Sequence, residues 1–217
     1  MKFLTISKIL LVLILPFLLF LAVLNFAAFD SKFYREKFSK YGVLNDVSGA
    51  DSIHDKIISF IKGEDSRLPK ELNDREKAHL ADVRNIAKIS RILPYILLVM
   101  SAFLFLLSAF ILKVNNSIIN FVGKALVSGG LLTIILAAAL FFLISSDFAN
   151  AFESFHRIFF EKGTYVFDPA KELLVRIYPE HLFMDLGIRI SKYVIISSFI
   201  IISLGAFLIF MSKKQKG

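Results

Sequence analysis

The chain has 217 residues, of which 56% are hydrophobic, and a formal net charge of +8; its mean hydropathy is +0.68. These values lie well above those of ordinary soluble domains and indicate an integral membrane protein. The sequence contains no cysteine, which excludes disulfides, thiolate metal sites and thiol nucleophiles.

Four apolar runs that lack any charged residue predict four transmembrane helices, at residues 9–29, 92–112, 125–145 and 193–211. Each run is close to the roughly 20 residues that span about 30 Å of hydrocarbon. The first run exceeds the roughly 7–15 apolar residues of a secretory signal, so we interpret it as a retained anchor. The sequence therefore predicts an all-α fold in a single integral membrane domain, residues 1–217, whose long loops 30–91 and 146–192 form a helical cap.

The distribution of charge predicts the orientation in the membrane. All 18 acidic residues lie between Asp30 and Asp185, whereas both tails and the link between the second and third runs contain only basic charges. An excess of Lys and Arg in short flanking loops marks the cytoplasmic side, so we expect cytoplasmic termini and two long extracytoplasmic loops in a cell membrane. The cytoplasmic basic residues are Lys2, Lys8, Lys113, Lys124, Lys213, Lys214 and Lys216.

These seven lysines explain most of the net charge, because the remaining 19 basic residues nearly balance the 18 acidic ones. The basic excess is thus a topology signal and does not indicate a nucleic-acid partner.

The first outer loop shows three helical patterns. The stretch YREKFSKYG predicts a short helix that ends at Gly42, and SGADSIHDKIISFIKGED predicts a second that ends at Gly63. Asn73 and Glu76 have the spacing of a capping box and precede apolar residues at helical spacing. This pattern predicts a helix over residues 74–91, which we expect to tilt or lie along the outer membrane surface.

The second outer loop begins with phenylalanines at positions 148, 152, 155 and 159, spaced four, three and four apart. This spacing predicts one face of a helix, and His156 lies on the same face. A second short helix is predicted over residues 170–177, ahead of the fourth apolar run.

The four histidines all lie in the outer loops and are candidates for proton transfer near neutral pH. His79 has Glu76 and Asp82 three residues away on either side, so a carboxylate can orient its ring. The alternative is an exposed histidine in a charged helix. His54 and His181 have acidic neighbours, and we interpret both as surface residues.

His156 lies among phenylalanines, where an imidazole loses hydration. Burial of an unpaired polar group costs about 1–3 kcal/mol, so the ring must find a partner or serve a function. The alternative to a catalytic role is a core histidine whose nitrogen bonds to a backbone carbonyl.

Other chemistries have weaker support in the sequence. A zinc site from Glu76, His79 and His156 lacks the first histidine of the HExxH pattern, so neither metal nor cofactor is predicted. The serines of the second loop lack a nucleophile elbow. No charged residue interrupts the four spans, which argues against a transporter.

Five stretches of the outer loops carry a resemblance to a known family. They are EKAHLADVR (residues 76–84), FHRIFF (155–160), YVFDP (165–169), the pair Leu173 and Leu174, and the pair Tyr178 and Pro179. Together they resemble the lipoprotein intramolecular transacylase family of integral membrane proteins, over most of the chain. The resemblance implies transfer of the sn-2 acyl chain of a diacylglyceryl lipoprotein to the α-amine of its N-terminal cysteine, which gives a lyso-form lipoprotein.

The resemblance also implies the residues of an extracytoplasmic active site. His79 and His156 act as general base and general acid, in an order that the sequence leaves open. The supporting residues are Glu76 or Asp82, which would orient His79, Arg84 or Arg157, which would stabilise the oxyanion, and Tyr165. The implied partners are a lipid-anchored protein substrate and membrane lipid, and the oligomeric state is left open.

The alternative from another class is a non-catalytic four-helix membrane protein that acts as an assembly or binding subunit. It predicts that His79 and His156 lie far apart and that no lipid-sized crevice opens beside them.

Overall fold

A computed structural model describes residues 2–113, 116–161 and 164–214. Helices are the regular secondary structure of these described residues, which contain no strand, and this confirms the predicted all-α fold. The helices are α1 (Lys2–Ala28), α2 (Ser31–Lys40), α3 (Val43–Asp46), α4 (Ala50–Lys62), α5 (Asp74–Leu112), α6 (Asn116–Ser146), α7 (Phe148–Phe159), α8 (Leu173–Ile177) and α9 (Glu180–Lys214). Four of them, α1, α5, α6 and α9, are long and apolar enough to cross a membrane.

These four helices extend beyond the apolar runs that predicted them. α5 begins at Asp74 and continues through Pro94, so the predicted outer helix and the second span form one helix. α9 begins at Glu180, well before its apolar run. Hydropathy identifies the part of a helix that fits the membrane and not its ends, because polar residues also continue a helix. The tilt of residues 74–91 along the membrane surface stays a prediction.

The chain divides into two compact units, and the first contains most of the apolar runs: Met1–Leu24, Ile92–Phe142 and Ile190–Gly217. In this unit the backbones of α6 and α9 approach closely at Gly123 and Gly205. A Cβ atom at Gly123 would lie only 2.7 Å from the carbonyl oxygen of Gly205, so this contact needs a glycine. Thr133 donates from its hydroxyl to the carbonyl of Gly129 at 2.7 Å, so this buried polar group is paired within its helix. Small residues at contacts and large apolar residues outside, such as Phe110 with 84% exposure, are typical of membrane helices.

The second unit comprises Asn25–Arg91 and Leu143–Arg189, which include the two outer loops. Its helix ends match the sequence signals: Gly63 ends α4 with a φ of 82°. The amide of Glu76 donates to the side-chain oxygen of Asn73 at 2.9 Å, and the amide of Asn73 donates to the carboxylate of Glu76 at 2.7 Å. The predicted capping box is therefore confirmed. The largest fully buried apolar side chains of this unit are Phe38, Ile57, Leu72, Ile177 and Leu182.

Candidate active site

His79 lies in the second turn of α5 and is 7% exposed. Its ring packs against Phe160 and Phe167, with centroid distances of 4.7 and 5.4 Å. Its Nδ1 atom is buried and has no hydrogen-bond partner among the described residues. An unpaired buried polar atom costs free energy, so a bound molecule that pairs with this nitrogen would recover the cost.

His156 is the one residue of α7 that is buried. Its Nδ1 atom lies 2.8 Å from the carbonyl oxygen of Phe152, one turn earlier. A carbonyl oxygen can only accept, so Nδ1 carries the proton and donates, and Nε2 of the neutral ring keeps its lone pair. His156 therefore has the carbonyl partner expected of a core histidine, yet it also has a nitrogen that can accept a proton.

The second unit brings the two histidines together from different loops. Their ring centroids are 6.2 Å apart and the ring planes differ by 19°. The ring of Phe160 contacts both, at 4.7 Å from His79 and 5.3 Å from His156. The non-catalytic alternative predicted that the two histidines lie far apart, and the short distance between their rings contradicts that expectation.

Burial sets the proton affinity of both rings. It lowers the pKa of His79, which lies outside the apolar run of α5, to about 4; the nearby His156 adds to this effect and Asp82 opposes it. Burial also lowers the pKa of His156, while the hydrogen bond to Phe152 raises it in part. Both imidazoles are therefore neutral at pH 7 and available as proton acceptors.

Large apolar side chains beside His156 remain exposed. Phe155, Ile158 and Phe159 of α7 are 48%, 75% and 50% exposed, and Val166, in the segment that follows, is 65% exposed. Such a cluster on the surface of a folded unit indicates contact with an apolar partner.

Glu76 anchors the second loop to α5. The residue is 1% exposed, and in addition to the bonds of the capping box its carboxylate accepts a hydrogen bond from the amide of Leu174 at 2.6 Å. That amide is one of the unpaired donors at the start of α8, so Glu76 caps two helices at once. Both of its oxygens are engaged by backbone amides, and neither bonds to His79.

Arg75 reinforces this attachment. Its guanidinium pairs with Glu172 at 3.0 Å and also donates to the carbonyl of Val166. Glu172 in turn accepts from the amide of Asp168 at 2.5 Å. Residues 164–174, which include two of the rings beside the histidines, are thus fixed to the first turn of α5.

The remaining supporting residues have distinct positions. Tyr165 packs on His156, with ring centroids 5.1 Å apart. Asp82 and Arg157 are both exposed. The negative charge of Asp82 raises the pKa of His79 and so opposes part of the effect of burial. Arg84 instead lies over the ring of Phe60 in α4 at 4.7 Å, so its guanidinium is engaged in packing.

The interpretation of His54 as a surface residue is wrong, whereas His181 is exposed as expected. His54 is 1% exposed, and its Nδ1 atom lies 2.8 Å from the hydroxyl of Tyr178. The sequence did contain the signal, because His54 precedes Ile57 and Ile58 by three and four residues on the buried face of α4.

A metal is not favoured by the arrangement around Glu76. In the described ranges, no group of three or more His, Cys, Asp or Glu side chains has the arrangement of a metal site. The zinc alternative would need the Glu76 oxygens that the two amides occupy.

Four membrane-length helices and a buried pair of neutral imidazoles define the class: an integral membrane protein with a site suited to proton transfer. The sequence of residues 9–183 matches the family described as lipoprotein intramolecular transacylase Lit. The chain belongs to this family, and it is accordingly a membrane-integral acyltransferase of the lipoprotein transacylase type. No curated protein sequence gives a significant match.

Solved structures show the same fold. The membrane integral lipoprotein intramolecular transacylase Lit from Bacillus cereus superposes with a TM-score of 0.82 at 21% identity, over 98% of each chain. A second structure of that protein, with a histidine replaced by arginine, has a TM-score of 0.78 at 20% identity over 97% of this chain and 94% of that one. A third, with a histidine replaced by alanine, has a TM-score of 0.77 at 20% identity over 98% and 96%.

Proposed function

We propose that the protein moves the sn-2 acyl chain of a diacylglyceryl lipoprotein to the α-amine of its N-terminal cysteine, with His156 as general base and His79 as general acid. The observation that carries this proposal is the hydrogen bond from His156 Nδ1 to the carbonyl of Phe152. This bond places the proton of the neutral ring on Nδ1 and leaves Nε2 unprotonated, with a lone pair that can accept a proton. This lone pair belongs to a ring 6.2 Å from a second imidazole with an unpaired nitrogen.

The reaction exchanges one bond for another. The amine nitrogen attacks the ester carbonyl carbon, and the tetrahedral intermediate passes an N–H proton to Nε2 of His156. Because both rings are neutral at the start, the proton that His156 takes must pass to His79 before His79 can act as an acid. The carbon–oxygen bond to glycerol then breaks, and the departing oxygen takes this proton from His79. The amine loses one proton and the glycerol oxygen gains one, so both histidines are neutral again at the end.

The surroundings suit a lipid ester. Because amine and ester belong to one molecule, orientation can supply several kcal/mol of the rate enhancement. The exposed side chains of Phe155, Ile158 and Phe159 offer an apolar surface for the acyl chains beside His156. Arg157, exposed next to His156 in the chain, supplies the positive charge for the oxyanion. The lateral crevice for the lipid stays a prediction.

The remaining supporting residues act through the histidines. Asp82 raises the proton affinity of His79 through its negative charge. Tyr165 packs on one side of the His156 ring. Glu76 fixes the second loop to the helix that carries His79. The site acts on the extracytoplasmic side, as the lysine distribution predicts.

The test uses a host that makes only the diacylglyceryl form of a reporter lipoprotein. The parent mass of the N-terminal lipopeptide does not change in an intramolecular transfer, so fragment ions must locate the acyl chain on the amine or on glycerol. Wild type should give the N-acyl form. His79→Ala and His156→Ala should each lower the rate by about 10²–10⁴-fold, whereas His181→Ala, an exposed histidine, should not.

The opposite outcome would be an unmodified lipopeptide in the presence of inserted wild-type protein, or full transfer by both histidine variants. The first result would favour the alternative in which the protein is a non-catalytic binding subunit and does not act on this substrate. The second result would show that neither histidine takes part in the mechanism.

A further inference from the structure

The first unit contains a cationic cavity that the transfer reaction does not use. Its volume is about 260 Å³, and it is lined by polar side chains from the first two turns of α1 and the first three turns of α6 together with apolar side chains, including Leu112 at the end of α5. The polar lining consists of Thr5, Lys8, Ser117, Asn120 and Lys124. All of these residues belong to the same compact unit.

The two lysines have no acidic neighbour within their unit. Met1–Leu24, Ile92–Phe142 and Ile190–Gly217 contain neither Asp nor Glu. Lys8 is half-buried and Lys124 is exposed, and two like charges on the lining of one cavity repel each other. An anion supplied from outside the unit would relieve this repulsion and pair with both lysines.

The helix directions add to the preference for an anion. Thr5 and Ser117 lie in the first turns of α1 and α6, where the helix dipole favours negative charge. The ammonium groups of Lys8 and Lys124 can donate hydrogen bonds to phosphate oxygens, and Asn120 donates one amide hydrogen to the hydroxyl of Ser212 at 3.0 Å.

The position of the cavity indicates the source of the anion. The lining residues come from the ends of apolar runs, on the side that the lysine distribution assigns to the cytoplasm. Basic pockets between membrane helices at this level bind the headgroups of acidic lipids. A volume of about 260 Å³ is below the roughly 300–1,000 Å³ of sites that enclose a whole drug-sized ligand, so the cavity suits a headgroup with its acyl chains outside.

From these observations we infer that the cavity binds the phosphodiester headgroup of an anionic phospholipid, through Lys8 and Lys124. This lipid is neither substrate nor product of the acyl transfer, because it binds to a different compact unit from the histidine pair.

The test measures lipid binding to the full chain in neutral detergent by native mass spectrometry. Phosphatidylglycerol is titrated against phosphatidylcholine with the same acyl chains. At about 1 kcal/mol for each lysine, K8Q/K124Q should weaken phosphatidylglycerol binding by about 30-fold. The matched control is K213Q/K214Q, which removes two lysines of the same unit that do not line the cavity.

Further variants separate charge from folding. K8R/K124R keeps both charges and should retain phosphatidylglycerol binding. Each single glutamine variant should weaken this binding by about 5-fold. The single variants therefore test the inference even if K8Q/K124Q does not fold.

Three results would overturn the inference: equal affinity of K8Q/K124Q and the control, equal binding of phosphatidylcholine and phosphatidylglycerol, or displacement of the lipid by millimolar inorganic phosphate. The last would assign the cavity to a soluble anion.

Discussion

Replacement of Glu76 by Gln tests whether one buried carboxylate holds the two outer loops together. The carboxylate accepts from the amides of Asn73 and Leu174 at 2.7 and 2.6 Å. The amide of Gln has one accepting oxygen, so one backbone donor would face an NH₂ group and remain unpaired. A lost bond of this kind costs about 1–3 kcal/mol, and Glu76→Ala, which loses both bonds, should cost about 2–6 kcal/mol.

The assay is thermal unfolding of the purified protein in detergent. For a chain of this size, about 1 kcal/mol shifts Tm by about 2–4 °C, so Glu76→Gln should lower Tm by about 2–12 °C. Glu153→Gln makes the same change at an exposed position of α7 and should leave Tm unchanged. Hydrogen exchange at the amide of Leu174 should become faster only in the Glu76 variant. Equal Tm values for the two Gln variants, with unchanged exchange, would refute the anchoring role.

Other predictions address acid sensitivity, the oxyanion and helix packing. Burial lowers the pKa of His54 to about 4 from 6.5, so its stabilising contribution is complete above pH 6.5 and is lost as pH falls. Acidification from pH 7 to 5 should therefore cost about 2 kcal/mol through His54 in denaturant titrations, and about as much again through His79, whose pKa burial also lowers to about 4. His54→Phe should remove only the part that belongs to His54; an unchanged pH slope would exclude His54 as a source. Arg157→Ala should slow acyl transfer more than Arg84→Ala, because Arg84 is engaged over an aromatic ring of α4; the reverse order in the lipopeptide assay would move the oxyanion role to Arg84. Gly205→Ala should cost about 1–3 kcal/mol, measured as a lower Tm, since its Cβ would lie 2.8 Å from a backbone oxygen of α6; a neutral effect would contradict the tight α6–α9 contact.

The sequence was informative where a local pattern determines the structure. Charge-free runs predicted the four membrane helices, and the spacing of Asn73 and Glu76 predicted a capping box that the structure contains. The phenylalanine spacing predicted α7 with His156 on it. Each of these features depends on residues within a few helical turns of one another.

The sequence was not informative about contacts between distant segments. The capping-box spacing of Glu76 does not reveal its second bond, to Leu174, because that partner comes from the other outer loop. The tautomer of His156 depends on the direction of one carbonyl of its own helix, which follows only from the coordinates. His54 was misassigned because its acidic neighbours were given more weight than its position on the apolar face of α4.

The bond between Glu76 and Leu174 also affects the order of events during synthesis. Its two residues are 98 positions apart, and Ile92–Phe142, a segment of the other compact unit, lies between them in the chain. At translation rates of about 5–20 residues per second, Leu174 is made about 5–20 s after Glu76. For most of this interval His79 lacks the rings of Phe160 and Phe167, and for all of it the carboxylate of Glu76 has one oxygen without its partner. A nascent chain that stops before Leu174 therefore lacks the hydrogen bond that fixes the second outer loop to α5.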